Sequence, residues 1–241
     1  MFNGHQRDHD KRYDHADEWI HIAKTAWEAN GYFDYEGEFF NVKQGYAEPK
    51  PINRPYLMNA GGSPRGRQFC AKHCDAAFLI LKHEDDDDTI RAQINTYRDL
   101  ARLEGRDIQI WVYAYVVHED TFEQAEAQLD YYVTQRGDDA ALDNVTAEIG
   151  LQSGMFKDTA DAERFRFHFK AGFAGVPLVG TSQMIVEQMQ RWSDLGVDGI
   201  NLTWLDYQSG LQRFVTEVLP LMEEAGQRAP HKPVRIVEAV A

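Results

Sequence analysis

The amino-acid sequence predicts an α/β fold in which parallel strands are covered by helices. Three observations carry this prediction. From Tyr56 onward, a short apolar run followed by a loop and an amphipathic stretch recurs four times. The runs are apolar nearly throughout rather than alternating, as in strands buried on both faces. The chain has 241 residues, 43% of them hydrophobic, enough to bury a substantial core.

The first element is a helix over residues 9–29, where Tyr13, Ala16, Trp19, Ile20, Ala23 and Trp27 recur at helical spacing and Asn30-Gly31 ends the pattern. Residues 32–35 and 38–42 flank Glu36-Gly37 and predict a small hairpin. Pro49, Pro51 and Pro55 then lead into a strand over 56–60. Ser63-Pro64 supplies an N-cap and a first-turn proline for a helix to about His73. A strand over 76–81 precedes a helix over about 86–103, whose acidic start, Asp85 to Asp88, suits the positive end of the helix dipole. The third strand spans 108–117 and the next helix runs from Thr121 to about Gln135. Residues 137–180 interrupt the rhythm, as a lid or an inserted helix pair does, and end in the loop 175–180. Thr181 or Ser182 caps a helix to Leu195, Gly196 ends it, 197–204 is the fourth strand and 207–225 the last helix. The expected organisation is one domain over 1–229 with a loose tail over 230–241.

Two architectures fit four parallel strand-helix units: an open doubly wound sheet, or the C-terminal half of a TIM-type (β/α)8 barrel. The opening helix has no strand before it, which favours the half barrel.

Charge narrows the function. Lys and Arg total 25 against 39 Asp and Glu, a formal charge of −14, which argues against a grip on nucleic acid or anionic lipid. No run approaches the roughly 20 apolar residues of a membrane helix, and the start lacks a basic-then-apolar leader, so a cytoplasmic location is expected. Cys70 and Cys74, four apart on a helix, read as buried thiols; a metal cluster with His73 would need a distant fourth ligand. His5, His9, His15 and His21 do not share a helical face, so no metal is expected there.

Some residues are placed to do chemistry. His9, Arg12 and Tyr13 project from one face near a helix N-terminus, where backbone N–H groups favour an anion; the alternative is a polar surface face. Ala60, Gly61, Gly62 and Ser63 sit between a strand and a helix, where the backbone can approach a phosphate; the alternative is a well-capped turn. Thr203, Trp204, Asp206 and Tyr207 follow the fourth strand, where Trp204 walls a pocket or simply closes the core, and His118 ends the third strand. Trp111, Tyr113 and Tyr115 alternate along one strand face and read as packing.

HDKRYDHADEW (9–19), FDYEGEFF (33–40), PYLMNAGGSPRGRQF (55–69), PLVGT (177–181) and LGVDGINLTWLDYQSGLQRFVTEVLPLM (195–222), in this order and spacing, resemble the bacterial luciferase-like flavin-dependent monooxygenases. The similarity is to the branch of alkanesulfonate, long-chain alkane, dimethyl sulfide and pyrimidine monooxygenases. It implies a (β/α)8 barrel carrying FMN, reduced by a separate flavin reductase or by NAD(P)H, that activates O2 toward a small organic substrate. In full-length members the motif matching His9 to Tyr13 follows the fourth barrel strand, so the resemblance implies a C-terminal half beginning at Met1. It places His9, Arg12 and Tyr13 at the flavin site, and Gly62 and Ser63, with Ala60 and Gly61, at the FMN phosphate. Family members often carry Ser where Gly62 stands, and Arg65 is positioned to compensate. His9 and Trp204 are the candidate catalytic residues. A half barrel leaves strand edges unpaired, so a homo-oligomer is expected. The alternatives are a non-catalytic or subunit-like half barrel needing a partner chain, and a deazaflavin-dependent oxidoreductase.

Overall fold

The structure, a computed structural model, describes residues 8–82, 84–148 and 158–230, with His9 described by its backbone alone. His5, most of the expected tail and part of the interruption lie outside the described residues. Two compact units emerge. The first comprises Met1–Leu79, Asp85–Trp111 and Val197–Gly199, and the second Ile80–Glu84, Val112–Gly196 and Ile200–Ala241.

In the first unit, α1 (His9–Glu28) is followed by an antiparallel hairpin of β1 (Phe33–Glu36) and β2 (Asn41–Gly45). The second hairpin strand was expected over 38–42 and begins later. Glu18 of α1 accepts from the amides of Glu38, Phe39 and Phe40 at 2.8, 3.0 and 3.1 Å, and so takes these residues out of the ladder. Gly37 allows the approach, because a Cβ there would lie 2.4 Å from the Glu18 carboxylate. His15 packs on Phe39 and Phe40, and His21 on Tyr35.

The strand expected over 56–60 contracts to β3 (Met58–Asn59), parallel to β4 (Ala76–Leu79). Between them lies α2 (Pro64–His73), and α3 (Asp87–Leu103) follows, its N-cap Asp86 accepting from Thr89 N at 2.9 Å. The acidic run is thus a helix start. Cys70, Ala71, Ala76, Ala77, Ile90, Ile94 and Ala101 form the buried interior, with Cys74 beside them. β5 (Gln109–His118) begins here, and Asp198 clamps it: Asp198 N donates to Ile110 O at 2.8 Å while its carboxylate accepts from Ile110 N at 2.7 Å.

In the second unit, β5 continues and pairs in parallel with β6 (Val176–Gly180), from Ala114↔Val176 to His118↔Gly180. The segment read as a loop is therefore a fifth strand. Helix α4 (Phe122–Asp130) opens with a capping box of Thr121 and Gln124 and passes into a π-helical turn, Tyr131–Gln135. The interruption holds α5 (Asp139–Glu148) and α6 (Thr159–Gly172), a helix pair. Thr181 caps α7 (Ser182–Leu195), and Gly196 closes it in the left-handed region at φ 102°. β7 (Gly199–Thr203) also pairs with β5, and the last helix is broken into α8 (Tyr207–Arg213), a second π-helical turn (Phe214–Val218) and α9 (Leu219–Glu224).

The aromatics of β5 are packing residues, as their alternation suggested. Tyr113 lies over Gly175 and Tyr115 over Gly172, each closer than a Cβ would permit. Burial pushes the Tyr115 hydroxyl well above its usual range, and it meets His168 Nδ1 at 2.9 Å.

Candidate functional site

The glycine turn of the first unit is held from both sides. Asn59 Oδ1 accepts from Gly61 N at 2.7 Å, and Tyr97 Oη donates to Gly61 O at 3.1 Å. Arg67 Nε donates to Gly62 O at 2.8 Å and stacks its guanidinium on Tyr97. Ser63 Oγ accepts from Gly66 N at 3.1 Å, capping α2. Tyr13 comes down on this turn: a Cβ on Gly61 would lie 2.8 Å from its hydroxyl, and one on Gly66 only 2.5 Å away. The helix face and the turn singled out in the sequence therefore meet at Tyr13.

Gly62 is different. A Cβ there would find no atom within 4 Å, so its backbone borders open space. Among the described residues the amides of Gly62, Ser63 and Arg65 meet no acceptor, as is usual in the first turn of a helix. Ala60 and Arg12 are exposed, and Arg12 has no ion-pair partner among the described residues. Arg65 corrects the expectation: it is held by Asp14 at 3.0 Å and by Asp17, two carboxylates of α1, and so is not spare charge. The same Asp17 meets His73 Nε2 at 2.6 Å, which occupies the histidine of the suggested Cys70, His73, Cys74 cluster.

The second unit holds a cavity of about 260 Å³ at the ends of β5 and β7, lined by His118, Tyr132, Trp204, Asp206, Ser209 and Arg213 among others. Trp204 reaches it because Gly210 has no side chain; a Cβ there would sit 2.4 Å from the indole. Its ring also meets Tyr207 and Phe214 edge-on. Thr203 and Tyr207 hydrogen-bond each other at 2.5 Å, and Asp206 caps α8 by accepting from Gln208 N at 2.9 Å and Ser209 N at 3.4 Å. The hydrogen bonds from Ser209 and Gln208 hold the Asp206 carboxyl below its ordinary range. Thr203, Asp206 and Tyr207 thus serve the local fold, and Trp204 and His118 face the cavity.

The sequence did not single out the polar cluster beneath it. His118 Nε2 lies 2.8 Å from Ser182 Oγ and 3.4 Å from Glu217 Oε2. Burial, and then the Arg213 guanidinium, lower the His118 pKa. Arg213 donates to His118 O at 3.0 Å and pairs with Glu119, Asp120 and Glu217. Only the Arg213–Glu217 spacing of four was visible in the sequence; the acids it joins are over 90 residues away.

A family model described as luciferase-like monooxygenase matches residues 1–199. An FMNH(2)-dependent dimethylsulfone monooxygenase of Pseudomonas fluorescens is 27% identical over 231 residues, covering 93% of this chain and 62% of the relative. A pyrimidine monooxygenase of Enterobacter sp. is 25% identical, covering 88% of this chain and 58% of the relative. Among solved structures, DmoA from Hyphomicrobium sulfonivorans superimposes with a TM-score of 0.78 at 23% identity, over 95% of this chain and 59% of that one. An F420-dependent secondary alcohol dehydrogenase is more distant, with a TM-score of 0.60. The chain thus spans about three-fifths of the length of the relatives it matches. With the α/β fold common to the structural neighbours and the family model running through both described sites' strands up to β7, the chain belongs to the luciferase-like monooxygenase family.

Proposed function

We propose that the chain takes part in an FMN-dependent monooxygenation of a small organic molecule, with the phosphate of reduced FMN held at the turn Ala60–Ser63. The observation that carries this is the contrast between Gly61, locked under Tyr13, and Gly62, open beside first-turn amides with no acceptor among the described residues. A phosphate dianion needs N–H donors and room, and the N-terminus of a ten-residue helix supplies both. Ser63 Oγ accepts from Gly66 N, which leaves its O–H free to donate to a phosphate oxygen. Arg12 is the cation on hand, and Tyr13 fixes the turn rather than carrying charge. His9 opens the same helix and stays the candidate for contact with the cofactor.

When bound, reduced FMN supplies the electrons that activate O2; the chain's residues supply position and shielding. The reductant comes from a separate flavin reductase or from NAD(P)H. FMN is favoured over a deazaflavin because a relative with 27% identity is named for FMNH(2), whereas the F420-dependent neighbour is more distant. A second copy of the chain is the expected partner, because Tyr207, Leu211 and Val215 form an exposed apolar row along one side of the last helix.

The test is a fluorescence titration of the purified chain with FMN, riboflavin and a deazaflavin. Saturable FMN binding, weaker for riboflavin, which lacks the phosphate, and weakened by Arg12→Ala, is the expected result. Equal binding of riboflavin and FMN would remove the phosphate site from the reading.

A further inference from the structure

We infer that Tyr97 and Arg67 are positioning residues for the phosphate turn: by holding two successive carbonyls on one side, they aim the amides of Gly62 and Ser63 together at the ligand. The inference rests on the proposed placement of the FMN phosphate at this turn and adds the side chains that shape it.

The peptide planes carry the argument. In a trans peptide the C=O and the N–H that follows it point in opposite directions. The peptide bonds after Gly61 and Gly62 are both trans. Tyr97 Oη donates to Gly61 O at 3.1 Å, so the Gly62 N–H points away from Tyr97. Arg67 Nε donates to Gly62 O at 2.8 Å, so the Ser63 N–H points away from Arg67. The two donors act as one unit, because the Arg67 guanidinium lies over the Tyr97 ring, 5.6 Å from its centroid. Both carbonyls thus face the same stack, and both amides face the opposite side. Adjacent N–H groups aimed the same way form an anion-binding concavity.

The surrounding residues leave these two amides as the pair for a ligand. Asn59 Oδ1 takes the Gly61 N–H at 2.7 Å, and Pro64 has no N–H to offer. Tyr97 is 5% exposed, and burial raises its pKa, which keeps the hydroxyl protonated and donating. Arg67 has no ion-pair partner among the described residues, so no carboxylate competes for its hold on Gly62 O. Glycine peptides reorient more freely than any others, and Gly61-Gly62 without this grip would sample many amide directions. Fixing them before the ligand arrives removes an ordering cost from binding.

The experiment compares the Kd for FMN with that for riboflavin, which lacks the phosphate, by flavin fluorescence in the unaltered chain and three variants. Tyr97→Phe removes only the hydroxyl. Arg67→Met removes the donor to Gly62 O, whereas Arg67→Gln puts an amide N–H at the position of Nε without the charge. The preference for FMN should fall about tenfold in Tyr97→Phe and in Arg67→Met, the scale of one weakened hydrogen bond to a charged group, and persist in Arg67→Gln. Riboflavin binding should be the same in all four proteins, which a general loss of structure would not allow. In 1H–15N spectra, FMN should move the Gly62 and Ser63 amide protons downfield in the unaltered chain and less in the two weakened variants. If Arg67→Met does not fold, Tyr97→Phe, which keeps the ring, decides. An undiminished preference in Tyr97→Phe and Arg67→Met overturns the inference and leaves the phosphate site standing. Equal losses in Arg67→Gln and Arg67→Met show that Arg67 acts through its charge, and overturn its assignment. No preference for FMN in the unaltered chain overturns both the inference and the reading beneath it.

Discussion

Replacing Gly62 by valine separates the fold from the proposed flavin site. No atom lies within 4 Å of a Cβ at this position, and the backbone is outside the left-handed region, so the folded chain can accept the side chain. Substituting glycine where the backbone is compatible stabilises by about 0.4–1 kcal/mol through the unfolded state, so the melting temperature should hold or rise. The valine would nevertheless stand over the first-turn amides. An amide hydrogen bond to a charged group is worth about 1.5–3 kcal/mol, so blocking one should raise the Kd for FMN by roughly 10- to 150-fold. The control is Gly61→Ala, whose Cβ would lie 2.7–2.9 Å from Asn59 Oδ1, Tyr13 Oη and Gly66 Cα. Overpacking of that kind costs about 1–3 kcal/mol and should lower the melting temperature. Thermal melts and FMN fluorescence titrations on both variants provide the check. A Gly62→Val protein that binds FMN as tightly as the unaltered chain would show that the phosphate is not held at this turn.

Three further outcomes are expected. Glu18→Ala should free the hairpin tip, seen as faster hydrogen exchange at the amides of Glu38, Phe39 and Phe40, while the amides of β5 exchange as before. His73 and His118 both have pKa values lowered from 6.5, in each case first by burial. Below that value the unfolded chain takes up protons that the folded chain resists, so stability falls with pH through the window just under 6.5. Urea midpoints measured on either side of it should show the loss, and His118→Gln should reduce it. Gly210→Ala should push Trp204 aside, because the new Cβ would be 2.4 Å from its indole; a changed Trp204 indole N–H signal in a protein that still melts cooperatively is the readout, and an unchanged signal would show that the ring does not rest on Gly210.

How far the fold could be read from the sequence depended on how far each determinant lay along the chain. Ser63-Pro64, Asp86, Thr121 with Gln124, and Thr181 with Gly196 act within a turn of themselves, and the helices they start or stop fell within a residue of expectation. β2 slipped because the carboxylate that displaces its start, Glu18, comes from another helix. β6 went unread because Pro177 and the flanking glycines carry the signature of a loop; the strand exists because the end of β5 lies alongside it. The two π-helical turns were invisible, since their sequences continue an ordinary helical pattern.

The sites divide along the same line. The glycine turn announces itself because a capping serine, a first-turn proline and two glycines are contiguous, and even Tyr13 could be singled out by its spacing on α1. What could not be read was which glycine is locked and which is open, because that depends on a tyrosine 48 residues from Gly61. Arg65 misled for the same reason: beside a phosphate turn it reads as free charge, and only the packing of α1 against α2 gives it to Asp14 and Asp17. At the strand-end cavity the sequence could name Trp204 and His118 but not their chemistry. The imidazole of His118 acquires a preferred tautomer only when Glu217 and Ser182, from two other helical segments, face one side of it, and Arg213 ceases to be a free cation only when the fold joins it to three carboxylates.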